Sequence, residues 1–162
     1  SRLHCASVVL LLATTACSPA AQSRSPLPSC EWCGAAEAPT ALSSTAQLAN
    51  ASEPGERLVI TGTLYRINGR TPAANVLLYA YHTDTTGTYR MRGGEIGNAR
   101  RHGVLRGWLR TGADGRYRIE TIRPAPYPAR DMAAHIHITI TPNGVEEGYV
   151  DRIVFSLSLI HI

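Results

Sequence analysis

Short runs of alternating apolar and polar residues fill the chain from residue 55 to residue 155. They are RLVITGTLYR, ANVLLYAYHT, LRGWLRT, GRYRIETI, AHIHITIT and YVDRIVF, and turn-forming pairs such as Asn68-Gly69 and Asp114-Gly115 separate several of them. A period of two is typical of β-strands, and an Asp-Gly pair between two such runs predicts a hairpin. No segment has a helical period over three turns. The pattern predicts an all-β protein built as an antiparallel sandwich.

One of these strands carries two histidines, His135 and His137, separated by a single isoleucine. Residues i and i+2 of a strand point to the same face of a sheet, so the two imidazoles are expected to stand side by side. Such a pair either faces water or converges on a metal ion, since imidazole is a common metal ligand. The pair alone leaves both interpretations open.

The first 54 residues differ from the strand-rich part. Residues 1–16 contain the apolar run ASVVLLLATTA, which is too short to span a bilayer and is typical of a secretory signal. Cys17 ends the sequence TTAC, which resembles the site where bacterial lipoproteins are lipidated. We therefore expect an exported protein, either periplasmic or anchored to a membrane through Cys17. Residues 17–54 are rich in Ala, Ser and Pro and are expected to form a linker.

The predicted linker contains the sequence CEWCG, in which Cys30 and Cys33 are separated by two residues. Such a pair can be a redox dithiol, half of a zinc site or a local disulfide. The chain has no second C-x-x-C pair and no βαβ pattern. A disulfide is therefore favoured in an exported protein.

The composition limits the kinds of molecule that this protein is expected to bind. The apolar fraction of 44% and the charged fraction of 17% are typical of a globular protein. The formal net charge is +4, and all 16 basic residues are arginines spread along the chain. Because there is no basic tract that could bind phosphates, nucleic-acid binding is not expected.

Two tyrosines add to the histidine pair. Tyr89 lies just after the turn-like DTTGT, and Tyr127 lies between two prolines, in a stiff loop eight residues before His135. Two phenolate oxygens would neutralise much of the charge of Fe(III), whereas zinc more often recruits Cys, His or carboxylate ligands. The candidate Fe(III) ligands are Tyr89, Tyr127, His135 and His137.

Three segments carry a family resemblance: GTLYRINGRTPAANVLLYAYHTD, RGWLRTGADGRYRIETIRPAPYP and AAHIHI. They resemble the intradiol ring-cleavage dioxygenases, the non-haem Fe(III) enzymes that open catechols and protocatechuate. CEWCG is similar to a secreted bacterial subgroup. The resemblance covers residues 55–155 and implies that family's β-sandwich, truncated at its C-terminus, followed by an atypical tail at 156–162. It also implies two tyrosinate ligands at Tyr89 and Tyr127 and two histidine ligands at His135 and His137.

The resemblance further implies a reaction. A catechol-type aromatic would bind the ferric ion through both oxygens and displace Tyr127, O2 would attack the activated ring, and a muconate-type diacid would form. The family has an arginine three residues before its first ligand histidine, where this sequence has Met132. Arg130 is expected to take over the stabilisation of charge on the reacting ring. Many family members pair with a second subunit, so an oligomer is compatible with the resemblance.

Two other functions stay open. A non-catalytic exported sandwich module would share the Asp-Gly turn and the Pro-Tyr loop, although it would have no reason to keep HIH. An iron-binding homologue with little turnover would follow from Met132.

The remaining polar and aromatic residues have structural interpretations. His102 is expected in a surface loop, Arg106 as a solvated strand charge and Trp108 in the core. Tyr79 and Tyr81 are expected to pack within the sheet.

Overall fold

The computed structural model describes Cys30, residues 33–142 and residues 148–155. Within these residues the chain forms seven strands, one short α-helix and one 3-10 helix. The strands are β1 (Thr45–Gln47), β2 (Arg57–Thr63), β3 (Leu77–His82), β4 (Arg106–Arg110), β5 (Arg116–Ile122), β6 (His135–Thr141) and β7 (Gly148–Val154). The α-helix, α1, is Ala99–His102, and the 3-10 helix is Ala35–Glu37. The prediction of an all-β fold is confirmed.

The strands form two sheets that pack face to face. One sheet has the order β1-β5-β2 and the other has the order β4-β3-β6-β7. The strand pairs are antiparallel except for β1 and β5, which run parallel. Apolar side chains from both sheets share one core, which includes Ala46, Leu48, Leu78, Ala80, Leu109, Ile119, Ile136 and Ile138.

Both faces of the four-stranded sheet are covered, and β3 is buried along its whole length. Side chains alternate across a strand, so Leu78 and Ala80 point into the core while Tyr79 and Tyr81 point to the opposite side. We call this side the outer face. The same alternation on β6 sends the isoleucines into the core and the two histidines to the outer face.

Packing starts earlier than the domain boundary predicted at residue 55. β1 lies inside the range predicted as a linker, yet it forms the edge of the first sheet beside β5. Ala46 and Leu48 are buried in the core. A strand of three residues leaves little trace in the local pattern, because its burial depends on pairing with a strand about 70 residues further along the chain.

The turn at Asp114-Gly115 connects two strands that belong to different sheets. The turn itself closes as expected: the Gly115 N–H donates to the Gly112 carbonyl at 2.9 Å, and the φ of Gly115 is 73°. Beyond the turn, however, β4 pairs with β3 and β5 pairs with β2. The predicted hairpin is therefore wrong. The turn instead connects the two sheets of the sandwich. The strands on either side of it, β4 and β5, bury apolar side chains in the shared core from opposite sides.

Some predictions concern residues outside the described ranges. These are the signal at 1–16, the lipidation site Cys17, the linker up to residue 29 and the tail at 156–162. In the part of the chain that the structure does describe, no helix has the length and apolar character needed to cross a membrane.

The last residue of β3, His82, is a buried histidine. His82 is 1% exposed; its Nε2 lies 2.6 Å from Thr121 Oγ1 and its Nδ1 lies 2.7 Å from the Thr83 carbonyl oxygen. Burial lowers the pKa of His82 below its ordinary value of 6.5, although the Thr83 carbonyl and two nearby carboxylates oppose this shift. His82 is therefore harder to protonate in the folded protein than in the unfolded chain.

We predict that acidification destabilises the fold through His82. The unfolded chain takes up a proton near pH 6.5 while the folded chain resists protonation, so the free energy of unfolding falls below about pH 6.5, by up to about 1.4 kcal/mol per pH unit. The variant His82→Gln should be less stable than the unchanged protein at about pH 7.5 but should have a flatter profile between about pH 6.5 and 5. Denaturant unfolding with a chelator present measures both profiles, and equal slopes would contradict the prediction.

Candidate metal centre

Four side chains from three parts of the chain meet on the outer face. His135 and His137 project from β6 on the same side, as the alternation predicts. Tyr89 follows the turn that begins after β3, and Tyr127 lies in the loop between β5 and β6. The structure thus brings together all four residues that the sequence predicted as ligands.

The four donor atoms form a continuous series of short contacts. Tyr89 Oη lies 2.5 Å from Tyr127 Oη, which lies 3.1 Å from His137 Nε2. His137 Nε2 in turn lies 3.1 Å from His135 Nε2. Metal–nitrogen bonds in proteins are about 2.1 Å long, so two ligand atoms at a right angle around one ion lie about 3 Å apart. Each of the three contacts is therefore close to the spacing of two donors that share one ion.

A backbone hydrogen bond fixes the tautomer of His135. Its Nδ1 lies 2.7 Å from the Ala133 carbonyl oxygen. Because a carbonyl can only accept, Nδ1 carries the proton, and Nε2 of the neutral ring presents a lone pair to the other donors. This is the tautomer that metal binding through Nε2 requires.

The tyrosines are essential to this donor set. Among the residues that the structure describes, no three His, Cys, Asp or Glu side chains come together in a way that could hold a metal ion. Two phenols and two imidazoles differ from the thiolate-rich sets of structural zinc and from the all-oxygen sets of Mg²⁺ and Ca²⁺. The set suits a hard, strongly Lewis-acidic ion such as Fe(III).

An Asp-centred turn positions Tyr89. The Asp84 carboxylate accepts hydrogen bonds from the backbone N–H and the hydroxyl of Thr86, at 2.8 and 2.6 Å, and from the backbone N–H of Thr88 at 3.2 Å. Burial alone would raise the pKa of Asp84, but these hydrogen bonds outweigh burial and hold its pKa below the ordinary value. Asp84 is therefore charged at neutral pH and keeps the turn closed.

The same turn contacts the loop between β5 and β6. The Ala125 N–H donates to the Asp84 carbonyl at 3.0 Å, and the Thr83 hydroxyl donates to the Ala125 carbonyl at 2.7 Å. At Gly87 the φ is 77°, and a Cβ would lie 2.0 Å from the Pro126 carbonyl oxygen. This close approach, which requires glycine, brings together two tyrosines that are 38 residues apart.

Arg90 anchors the other side of the Tyr89 segment. Its guanidinium forms an ion pair with Glu53, a carboxylate that is 6% exposed, and its carbonyl accepts a hydrogen bond from the Val104 N–H at 3.0 Å. Glu53 lies in the range predicted as a linker. That range therefore contributes to the support of the centre.

Solved structures of three proteins are similar to this chain. The dioxygenase domain of a dioxygenase–carbohydrate-binding protein fusion from the cellulolytic bacterium Streptomyces sp. SirexAA-E is 30% identical, with a TM-score of 0.54 over 67% of this chain and 62% of its own. An intradiol ring-cleavage dioxygenase from Tetranychus urticae is 27% identical, with a TM-score of 0.56 over 71% and 59%. The 3-chlorocatechol 1,2-dioxygenase from Rhodococcus opacus 1CP is 25% identical, with a TM-score of 0.55 over 68% and 49%. The chain spans less than two thirds of each of these solved chains.

The protein-family model described as Dioxygenase matches residues 33–157, about three quarters of the chain. The chain belongs to the intradiol dioxygenase family. The family resemblance seen in the sequence is thereby confirmed. The match begins at residue 33, in agreement with the early start of packing in the structure. No curated protein matches the chain.

Arg130 lies beside Tyr127 in this intradiol family member. Its side chain is exposed, and its guanidinium carbon lies 5.8 Å from the centre of the Tyr127 ring. Ala129, with a φ of 58°, turns the chain just before it. Met132, which stands at the family's arginine position, is half-buried. A positive charge thus lies beside Tyr127, and its catalytic role stays a prediction.

Two further residues behave differently from the sequence-based expectation. His102, expected in a surface loop, is 3% exposed, and its Nδ1 lies 2.7 Å from the Tyr79 hydroxyl. Arg106, expected as a solvated charge, forms an ion pair with Glu37 at 2.8 Å. Both expectations were wrong because the segment 33–37, which was predicted as linker, covers this part of the outer face. Trp108, expected in the core, is half-buried and stacks on Tyr79 with 5.2 Å between ring centres.

We call residues 33–37 the covering segment. A disulfide joins its first residue, Cys33, to Cys30, which is the pairing favoured from the sequence. The Cys33 carbonyl accepts a hydrogen bond from the Asn98 side-chain amide at 2.5 Å. The next carbonyl, that of Gly34, accepts a hydrogen bond from the indole N–H of Trp108 at 2.7 Å. A Cβ on Gly34 would lie 2.1 Å from the ring of the fully buried Tyr79. Only glycine therefore fits at this point of contact.

We predict that Gly34→Ala destabilises the protein by about 1–3 kcal/mol, because the added methyl group must displace either the Tyr79 ring or the covering segment. Gly148→Ala is the matched control, since among the described residues a Cβ there would meet nothing closer than the Ile140 carbonyl oxygen at 3.8 Å. The control should change stability by less than about 0.5 kcal/mol. Chemical unfolding measures both effects, and equal stabilities of the two variants would rule out the proposed contact.

Proposed function

We propose that this protein is a non-haem Fe(III) dioxygenase that opens a catechol-type aromatic ring between its two hydroxylated carbons. The observation that carries the proposal is the convergence of two phenol oxygens and two imidazole nitrogens through contacts of 2.5 to 3.1 Å. Family membership supports it, as does the similarity to a chlorocatechol dioxygenase and to an intradiol ring-cleavage dioxygenase.

In this proposal Tyr89, Tyr127, His135 and His137 hold the iron. When bound, Fe(III) supplies Lewis acidity, which acidifies a chelating catechol and holds it in place. The two imidazoles bind as neutral rings, so the two phenolates supply the compensating negative charge.

Tyr127 is the residue best placed to exchange a proton with the substrate. Its oxygen lies between Tyr89 Oη and His137 Nε2, and it belongs to a loop rather than to a strand. In the proposal the Tyr127 oxygen accepts a proton from a catechol hydroxyl while the imidazoles keep their places on β6.

Arg130 is assigned to charge stabilisation. Negative charge develops on the substrate as O2 adds to the ring, and the guanidinium beside Tyr127 would lower the energy of that charge. The carbon–carbon bond between the hydroxylated carbons then breaks, and both atoms of O2 enter a muconate-type diacid. The reaction needs no other oxidant or reductant.

We predict that the purified protein, supplied with iron, binds it and has a visible tyrosinate absorption band that catechol shifts. Tyr89→Phe and Tyr127→Phe should each weaken iron binding by at least about 10-fold and reduce the band, because each removes a phenolate donor. Tyr65→Phe is the matched control, since Tyr65 is 54% exposed and lies outside the centre. Iron analysis and absorption spectroscopy make the measurement. A well-folded but iron-free and colourless protein would favour the non-catalytic sandwich module instead.

We predict that Arg130→Gln lowers kcat/KM for catechol by about 10²–10³-fold and leaves the iron content unchanged, because it removes a positive charge but no ligand. Arg116→Gln is the matched control, since the Arg116 side chain is 78% exposed and lies on β5. Oxygen consumption and diacid formation are the readouts.

Two results would contradict this role of Arg130. Equal activity in Arg130→Gln and the unchanged protein would show that Arg130 does not stabilise charge in the reaction. An iron-loaded protein without any turnover would favour the iron-binding homologue, for which Met132 at the family's arginine position is the supporting observation.

A further inference from the structure

Three aromatic rings are stacked on the outer face beside the candidate centre. The Tyr81 phenol lies nearly parallel to the His137 imidazole, with 4.6 Å between ring centres and 11° between planes. The imidazole of His102 is also nearly parallel to the Tyr81 ring, at 3.7 Å and 11°. Tyr81 and His102 are almost fully buried, at 6% and 3% exposure. We call these three rings the stack.

The strand register makes the contact between Tyr81 and His137 direct. The two residues are partners in the antiparallel pairing of β3 with β6. Side chains of such partners stand on the same face with Cβ atoms about 5 Å apart, which allows their rings to lie against each other. His102 reaches Tyr81 from α1, outside the sheet. The Tyr81 ring therefore contacts one ring from the neighbouring strand β6 and one ring from the helix α1.

His102 is itself fixed by a series of buried polar contacts. Its Nδ1 lies 2.7 Å from the Tyr79 hydroxyl, and that hydroxyl accepts a hydrogen bond from Arg106 Nη1 at 3.4 Å. Arg106 donates to the Glu37 carboxylate at 2.8 Å. The stack thus rests on a hydrogen-bonded network that ends in the covering segment, and its rings have little room to rotate.

The two ligand histidines contact different kinds of neighbour. The His135 ring is oriented by the hydrogen bond from Nδ1 to the Ala133 carbonyl, whereas a face of the His137 ring is covered by Tyr81. We propose that Tyr81, backed by His102, is a positioning residue that fixes the ring plane of His137 and so directs His137 Nε2 towards the other three donors. This inference rests on the proposed function, in which His137 binds iron. Neighbours that orient a ligand imidazole typically contribute about 10- to 100-fold to metal affinity.

The flat ring of Tyr81 makes the stacked contact with His137. Phenylalanine at position 81 preserves the stacked face, whereas leucine fills part of the volume and removes the flat ring. The comparison of Tyr81→Phe with Tyr81→Leu therefore separates positioning by the ring from every effect of the hydroxyl. Tyr65→Leu makes the same substitution at an exposed tyrosine outside the centre and serves as the matched control.

The first measurement is the affinity for Fe(III), determined by competition with nitrilotriacetate. Tyr81→Leu should bind Fe(III) about 10- to 100-fold more weakly than the unchanged protein, and its tyrosinate absorption band should be displaced. Tyr81→Phe and Tyr65→Leu should stay within about twofold of the unchanged protein, because both keep the stack.

The second measurement needs no iron. In the metal-free protein, the Tyr81 ring stacked on His137 should shift the His137 ring protons upfield through its ring current, and NMR can detect this shift once His137→Gln has assigned the signal. The upfield shift should be present in the unchanged protein and in Tyr81→Phe, and it should be lost in Tyr81→Leu.

The Fe(III) affinities and the NMR shifts together test whether Tyr81 positions the His137 ring. The positioning role is overturned if Tyr81→Leu keeps its Fe(III) affinity and absorption band, or if Tyr81→Phe loses as much affinity as Tyr81→Leu. If the unchanged protein binds no Fe(III), the proposed function fails, and the His137 proton signals alone then decide whether Tyr81 orients the ring.

A second variant covers the case in which Tyr81→Leu does not fold. His102→Gln can keep a hydrogen bond to the Tyr79 hydroxyl but removes the ring that backs Tyr81. It should weaken Fe(III) binding several-fold and reduce the upfield shift of the His137 protons. Unchanged affinity together with an unchanged shift would overturn the role assigned to the stack.

Discussion

The four-stranded sheet is covered on both faces, and this double burial determines where the centre lies. One face meets the other sheet and is filled by Leu, Ile and Ala side chains. The outer face is covered by the segment that includes Gly34 and by the loops after β3, and it is filled by Tyr, His and Trp rings, whose apolar bodies pack while their polar edges need partners. In the described ranges no buried side-chain nitrogen or oxygen lacks a hydrogen-bond partner. The convergence of phenols and imidazoles is thus one part of a satisfied polar layer.

The tyrosine donors depend on a different constraint, namely the contact between two loops. Asp84 closes the turn before Tyr89, and Gly87 lets that turn approach the backbone at Pro126 more closely than any other residue would allow. The imidazoles are positioned by strand geometry, whereas the phenols are positioned by hydrogen bonds between loops. The two histidine donors of the centre are therefore held by the sheet, whereas the two tyrosine donors depend on the closure of one turn.

Sequence reasoning succeeded where the pattern is local. The alternation of HIHI predicted which face the histidines share, and the prolines around Tyr127 placed it in a loop, as the structure has it. It failed where burial depends on distant segments. Neither β1 nor the burial of His102 has a local signal, because each follows from contacts with residues tens of positions away. The Asp114-Gly115 turn shows both effects: the turn residues are recognisable, but the sheets that the flanking strands join depend on the whole core.

The proposed chemistry needs ligands of two kinds, one that the substrate can displace and others that stay in place. A ligand that substrate displaces has to leave and return without disrupting secondary structure. Tyr127 meets this condition because it lies in the loop between β5 and β6 and not in a strand. His135 and His137 lie on a strand, and β6 is paired with β3 on one side and with β7 on the other. Ring stacking by Tyr81 adds a further restraint to His137. If the histidines remain fixed while Tyr127 exchanges its place with a catechol oxygen, the geometry needed for the next turnover is retained at the strand.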